Sequence, residues 1–402
     1  MQRALLIKYA EAGAENPTGY FSWRWNDRPQ DIATARIRAT TLTRIDELLS
    51  DALPEPRGEE TPSEALERAL RRGALAHPES TAELGAALAD ALLPPGLLHL
   101  LDAPGGGAKP RLRIQPSPTL ARVPWALLRP APNRRPLAET ATIETNVPAA
   151  IAARAKQQNA FAAGERIVAV IDPRVPGQAA TGPLGSVLGR PTADDPLASL
   201  LDYGERLWPR VTEYEQLARR TDTDRHWLRD ACADAARLLY VGHVTAADLN
   251  TAAGEQSALH LCCRDEAGRH DPLTAGELVN AAITLPPRCA LIACGSGSDL
   301  RSAEPMGLAL AAMLGGARLV TACAWTVPTD LALASFAGEL HGRSPLRELI
   351  LAVDRAHEGS DPAADLAAWQ AERAEDWASG GAVADSPLLW ATLNTLTLGS
   401  GS

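Results

Sequence analysis

The sequence is poor in aromatic residues, which make up 4% of its 402 positions. Hydrophobic residues still reach 46%, so a large core is expected, built mainly from Leu, Ala and Val. The six cysteines, Cys232, Cys262, Cys263, Cys289, Cys294 and Cys323, include no CxxC pair. That absence excludes a zinc ribbon, and scattered cysteines of this kind suit a reducing cytoplasm. Basic residues are outnumbered, 39 to 49, for a net charge of −10. This balance disfavours broad binding to nucleic acid or to an anionic membrane. The pairs Arg71-Arg72 and Arg219-Arg220 read as solvated helix faces. Long apolar runs are also missing, since residues 306–320 are broken by Gly315-Gly316 and Arg318. The first residues, MQRALLIKYAEAG, read as a strand and not as a signal peptide. No Gly-Lys-Ser/Thr follows the turn Gly105-Gly106-Gly107, so phosphate binding has little support there. No Gly-x-Ser-x-Gly elbow surrounds Ser296 or Ser298, and no internal repeat is visible.

What is present is a set of short apolar runs that stop abruptly. Leu238-Leu239-Tyr240-Val241 runs into Gly242-His243, and Ala290-Leu291-Ile292-Ala293 runs into Cys294-Gly295-Ser296-Gly297. Residues 319–324 run into Trp325, and residues 166–171 into Asp172-Pro173. Runs of this length bounded by turn residues are the pattern of buried parallel strands. Helical periods fall between them, which predicts an α/β layered domain with a mostly parallel sheet. Helices are expected at residues 32–53, 63–72, 81–93 (capped by Thr81), 222–236, 271–282, 329–341 and 345–357. Strands are expected at 2–9, 20–25, 111–115, 123–128 and 258–263. Residues 1–80 form an N-terminal strand and helical region, and residues 174–196, rich in Gly and Pro, read as a long surface loop with room to move.

Open parallel sheets carry their chemistry at the carboxyl ends of the strands. His243 and Cys294 are therefore expected at one edge, and an imidazole beside a thiol is the minimal apparatus of a cysteine nucleophile. Glycines after Cys294 free local amides to face an oxyanion. From local sequence alone, a buried structural cysteine is an equal reading, and a lone histidine at a strand end is usually a packing or surface residue. His260 with Cys262 and Cys263 resembles a metal cluster, but adjacent strand residues face opposite ways, so no metal site is expected. His270 and Asp271 read as caps of the helix that follows them.

The spacing adds specificity. His243 precedes Cys294 by 51 residues, close to the roughly 50 of the caspase signature. The sequence resembles the CHAT family, caspase-like peptidases of the caspase and separase clan. The resemblance rests on Leu239-Tyr240-Val241-Gly242-His243, on Ala293-Cys294-Gly295-Ser296-Gly297, on Gly307-Leu308 with Gly315-Gly316-Ala317-Arg318, on Trp325-Thr326-Val327-Pro328 with Asp330, on Pro387-Leu388-Leu389-Trp390-Ala391 before Gly399, and on Leu120 to Leu128 around Pro124-Trp125. It implies a caspase-like three-layer α/β/α sandwich over residues 81–402, with the N-terminal strand and helix layer added to it. It further implies a His243–Cys294 dyad, an oxyanion hole from the N–H groups of Val244 and Cys294, and a substrate cleft near Ile292 and Asp330. A protein substrate, an activating partner protein or ligand, no cofactor, and a bacterial signalling or defence role complete what it implies. Two positions depart from the family pattern. Val244 stands where the family has Gly, which predicts a crowded oxyanion site. Ile292 stands where Arg-specific relatives carry an acid. An inactive scaffold, favoured by Val244, and a small-molecule binder at the strand-end crevice stand as alternatives.

Overall fold

The computed structural model describes residues 3–13, 17–102, 109–130, 134–156, 161–246, 254–281, 283–301 and 305–398. The glycine run at 105–107, Glu304 and Gly399 lie outside them. Among the described residues fourteen strands occur, in chain order β1 Ala4–Ala12, β2 Thr18–Trp25, β3 Ala33–Ile37, β4 Arg111–Gln115, β5 Thr142–Asn146, β6 Ile167–Ile171 and β7 Leu207–Trp208. They continue as β8 Arg237–Val241, β9 Val244–Thr245, β10 Ala258–Leu259, β11 Leu273–Thr274, β12 Arg288–Ile292, β13 Leu319–Cys323 and β14 Leu393–Thr397. Eleven of them form one sheet in the order β3-β2-β1-β4-β5-β14-β13-β12-β8-β6-β7. Its centre, β12-β8-β6, is parallel, and β14 runs antiparallel to β13. β1 pairs in parallel with β4, so the N-terminal strands extend the same sheet.

The central strands are apolar on both faces because both are covered. Ala290 and Ile292 of β12 enter one core, with Leu239 and Val241 of β8 and Leu346, Leu349 and Val353 of the helix Pro345–Glu358. Cys289, Leu291 and Ala293 enter the other, with Leu228 and Cys232 of the helix Arg225–Cys232 and the wholly buried helix Leu308–Leu314. Side chains alternate along a strand, so this division is the two-residue period seen from both sides. The result is an α/β/α sandwich with a mostly parallel sheet.

Several local expectations change. Residues 32–53 are not one helix: Ala33–Ile37 pairs with β2, placing Ile37 opposite Gly19, and the helix is Ala39–Ala52. The helix near residue 81 starts earlier, at Pro78, whose ring suits a first turn. Thr81 lies inside it and donates to the carbonyls of His77 (2.8 Å) and Ala74 (3.1 Å). Residues 123–128 make tight helical turns between Pro118 and Leu128 with no ladder partner. The helix after Asp271 is capped by Thr274, whose hydroxyl accepts from Glu277 N–H in a capping box. His270 instead meets the His260 ring at 3.0 Å. The long helix Pro362–Gly380 has no counterpart in the sequence reading. Among the described residues no group of three metal-ligating side chains converges. Among them too, no single helix is long and apolar enough to cross a membrane, and only the bent pair Pro78–Leu92 and Pro95–Leu101 passes that test jointly.

Candidate active site

β8 and β12 are hydrogen-bonded neighbours in which Val241 stands opposite Ile292. β6 flanks β8, with Ile171 opposite Val241. His243 and Cys294 therefore lie two residues past one registered pair, and Asp172 lies one residue past the same level. All three occupy the carboxyl edge of adjacent strands, where neighbouring chains are about 4.8 Å apart.

His243 is held at both ends. Its carbonyl accepts from His260 N–H at 3.1 Å and lies 2.7 Å from the Tyr240 hydroxyl. Its ring Nε2 lies 2.9 Å from the carbonyl oxygen of Gly185. A carbonyl can only accept, so Nε2 carries the proton there. In the neutral ring, Nδ1 is then the basic nitrogen.

Gly185 belongs to the segment 174–196, which has no regular secondary structure before the helical turn that starts at Pro196 and is tied down around Gly185. Asp172, buried at 1% exposure, accepts from the Ser186 hydroxyl, from Val187 N–H (3.2 Å) and from Arg219 Nη1 (3.3 Å). Arg219 Nη1 also donates to Gly185 O at 3.4 Å. Asp172 and Arg219 both have positive φ, +48° and +56°. Gly185 itself admits no larger residue, since an added Cβ would lie 2.2 Å from Ala180 O. Arg219 is thus a partner of the loop and not a solvated helix residue, and these bonds hold residues 185–188 to the end of β6.

Cys294 is partly exposed, whereas the other five cysteines are buried. Its loop turns at Gly295, with φ +63°, a value that favours glycine. Gly295 N–H donates to Trp325 O (3.1 Å) and Gly297 N–H to Cys323 O (2.8 Å), which ties the loop to the end of β13. Ser296 is no nucleophile: its buried hydroxyl donates to Leu291 O (2.6 Å) and accepts from Cys323 N–H (2.9 Å). The Cys294 thiol points to Val327 O at 3.9 Å. Among the described residues no hydrogen bond joins it to His243.

Burial pushes the Cys294 thiol up from its ordinary range, only partly offset by backbone hydrogen bonds. A raised pKa means less thiolate at neutral pH than in a free thiol. Inactivation by iodoacetamide is therefore expected to keep accelerating with pH beyond about 8.5, the free-cysteine value. A rate already level near neutrality would instead reveal a preformed thiolate–imidazolium pair.

Val244 starts β9, opposite Leu259 of β10. Because His260 N–H bonds His243 O, positions 243 and 260 are the hydrogen-bonded kind of antiparallel pair and 244 and 259 the other kind. Val244 N–H then points away from β10, free of the ladder. Its side chain packs against the second core, not across the cleft, which counters the expected crowding. Val244→Gly is expected to cost about 2 kcal/mol through lost burial and added chain freedom. Turnover of that variant should stay near wild type, and a tenfold gain in kcat alongside the melting curve would show that the side chain does crowd the site.

Ile292 is 2% exposed and lies in the first core, so it does not line the cleft. Asp330 lines a cavity of about 830 Å³ between the 174–196 segment and residues 329–331. Burial raises its pKa, against the Leu346 N–H and the Arg347 guanidinium that hold its two oxygens.

The CHAT domain family matches residues 82–393, a span that holds both His243 and Cys294. A comparison with curated proteins gives no match. Among solved structures, the chain is similar to the Saccharomyces cerevisiae separase–securin complex at 2.6 Å, with 11% identity and a TM-score of 0.51. It is also similar to the same complex at 3.0 Å, with 12% identity and a TM-score of 0.49. In both, 98% of this chain is covered and only 30% of the other. The match at 2.6 Å shows the fold of this chain to be that of the matched part of separase, a caspase-like sandwich.

Proposed function

The chain belongs to the CHAT domain family, and from that premise we propose that it is a cysteine endopeptidase acting through His243 and Cys294. Nδ1 of His243 takes the thiol proton as Cys294 Sγ attacks the scissile carbonyl carbon. The N–H groups of Cys294 and Val244 hold the oxyanion of the tetrahedral intermediate. Its collapse breaks the C–N bond, and His243 gives its proton to the leaving amine. Water, deprotonated by the same ring, then hydrolyses the thioester and restores the thiol. No metal or organic cofactor enters the proposed reaction.

The observation that carries this reading is the shared register of His243 and Cys294 past Val241 and Ile292. The proposed substrate is a protein, and the proposed setting is the bacterial cytoplasm, in signalling or defence. The chain is proposed to stay whole and to be switched on by a partner protein or ligand. Two features support that: the thiol rests toward Val327 O and not toward His243, and residues 298–304 are too short a connection to be cut and rearranged. The thiol's resting direction also favours the second reading, an inactive scaffold. Incubation with a peptide pool, with and without candidate partners, separates the two. Products that form with wild type and vanish with Cys294→Ala support the peptidase, and no products under any condition support the scaffold.

A further inference from the structure

The 830 Å³ cavity is lined in part by residues that follow, in sequence, the two backbone carbonyls contacting His243 and Cys294. On one side, Ser186 and Val187 follow Gly185, whose carbonyl orients His243. On the other, Thr329 and Asp330 follow Val327, whose carbonyl faces the Cys294 thiol. A chain lying across the dyad would place side chains in this cavity.

The charges lining it divide into those already paired and those free. Arg219 is tied to Asp172. Arg347 is tied to Asp195 and Asp330, and Asp330 spends its other oxygen on Leu346 N–H. The negative charge of Asp330 is thus turned to the protein's own arginine. Arg174 and Arg190 also line the cavity and are exposed. Among the described residues neither side chain has a hydrogen bond or an ion pair. Around them the lining is apolar, with Val187, Leu188 and Leu331, the last 78% exposed. Two unpartnered guanidinium groups beside an apolar wall suit one kind of occupant, a carboxylate on an extended peptide, since guanidinium binds carboxylate through paired, charge-assisted bonds.

We propose that Arg174 and Arg190 select substrates carrying an acidic side chain in the segment that fills this cavity. The inference rests on the peptidase reading of the same site and adds its substrate class. Both residues determine specificity and neither is catalytic.

The test uses the full chain and peptide mixtures in which one position at a time is fixed as Glu, Gln or Arg, with products read by mass spectrometry. At one position, Glu is expected to raise kcat/KM about tenfold over Gln, a gain typical of one added charge-assisted contact. The Arg174→Glu/Arg190→Glu variant, altered only at exposed positions, should keep the wild-type melting temperature and reverse the preference toward Arg. A wild type that shows no charge preference, or favours Arg, overturns the proposal. So does a charge-reversed variant that still favours Glu. A second arm needs no turnover: Cys294→Ala is titrated with fluorescent Glu and Gln pools. Retention of the Glu pool about tenfold more tightly, lost on reversal of both arginines, supports the proposal, and equal retention overturns it. If no pool is cut by wild type with or without candidate partners, the peptidase reading fails on its own while this binding arm still decides the inference.

Discussion

His243→Gln is expected to lower peptide cleavage by at least about a thousandfold while leaving the fold intact, because a nucleophile and its base act as one unit. Glutamine can still donate to Gly185 O, so the 2.9 Å anchor of the ring has a substitute. What glutamine lacks is a nitrogen that accepts a proton. With the Cys294 thiol pushed up by burial, little thiolate forms unaided, and the loss should be large even at alkaline pH. Cys294→Ala should fall as far, and the two changes together should cost no more than either alone. Cys289→Ala and Cys323→Ala should retain activity, since both side chains lie in the cores on either face of the sheet. The measurement is kcat/KM for each variant beside its melting curve. A His243→Gln enzyme within tenfold of wild type would remove His243 from the chemistry.

Asp172→Asn is expected to reduce kcat by about ten- to a hundredfold, the range expected when a catalytic group is displaced by about 1 Å. Asp172 touches no part of the proposed reaction. It gathers Ser186, Val187 and Arg219 around one carboxylate, and this holds Gly185 O where His243 needs it. Asparagine tolerates the positive φ of this position but offers one acceptor oxygen and no charge. Asp172→Ala goes further, removing the carboxylate from a half-buried arginine and from the Ser186 and Val187 donors at a cost of about 1–3 kcal/mol. The two variants separate orientation from stability. Asparagine should lower kcat with KM and melting nearly unchanged, whereas alanine should lower all stability measures as well. Full activity in a well-folded Asp172→Asn enzyme would show that the loop keeps its place without the carboxylate.

The strands that position the site were legible because each is buried on two faces and stops at a turn. That pattern placed β8, β12 and β13 and brought His243 and Cys294 to one edge. Asp172 stands at the end of β6 by the same pattern, and the edge logic could have marked it too. Gly185 could not be found this way, because it contributes a backbone carbonyl and no side-chain signal. Arg219 was hidden by its charge: beside Arg220 it reads as a solvated residue, yet its positive φ turns it toward Asp172. Ile37 was absorbed into a helical period because a strand and a helix meet at Arg38, with one apolar residue serving as the strand's last contact. Val244 misled through its β-branch, since the sequence gives no sign that β10 turns its side chain toward the core.

The most direct measurement of the central claim is to treat the native protein with an electrophilic peptide and map the adduct by mass spectrometry, in wild type and in His243→Gln. The account predicts a single adduct, on Cys294, formed slowly or not at all when His243 is replaced, with the five buried cysteines unmodified. An adduct on another cysteine, or labelling of Cys294 at the wild-type rate without His243, would contradict it.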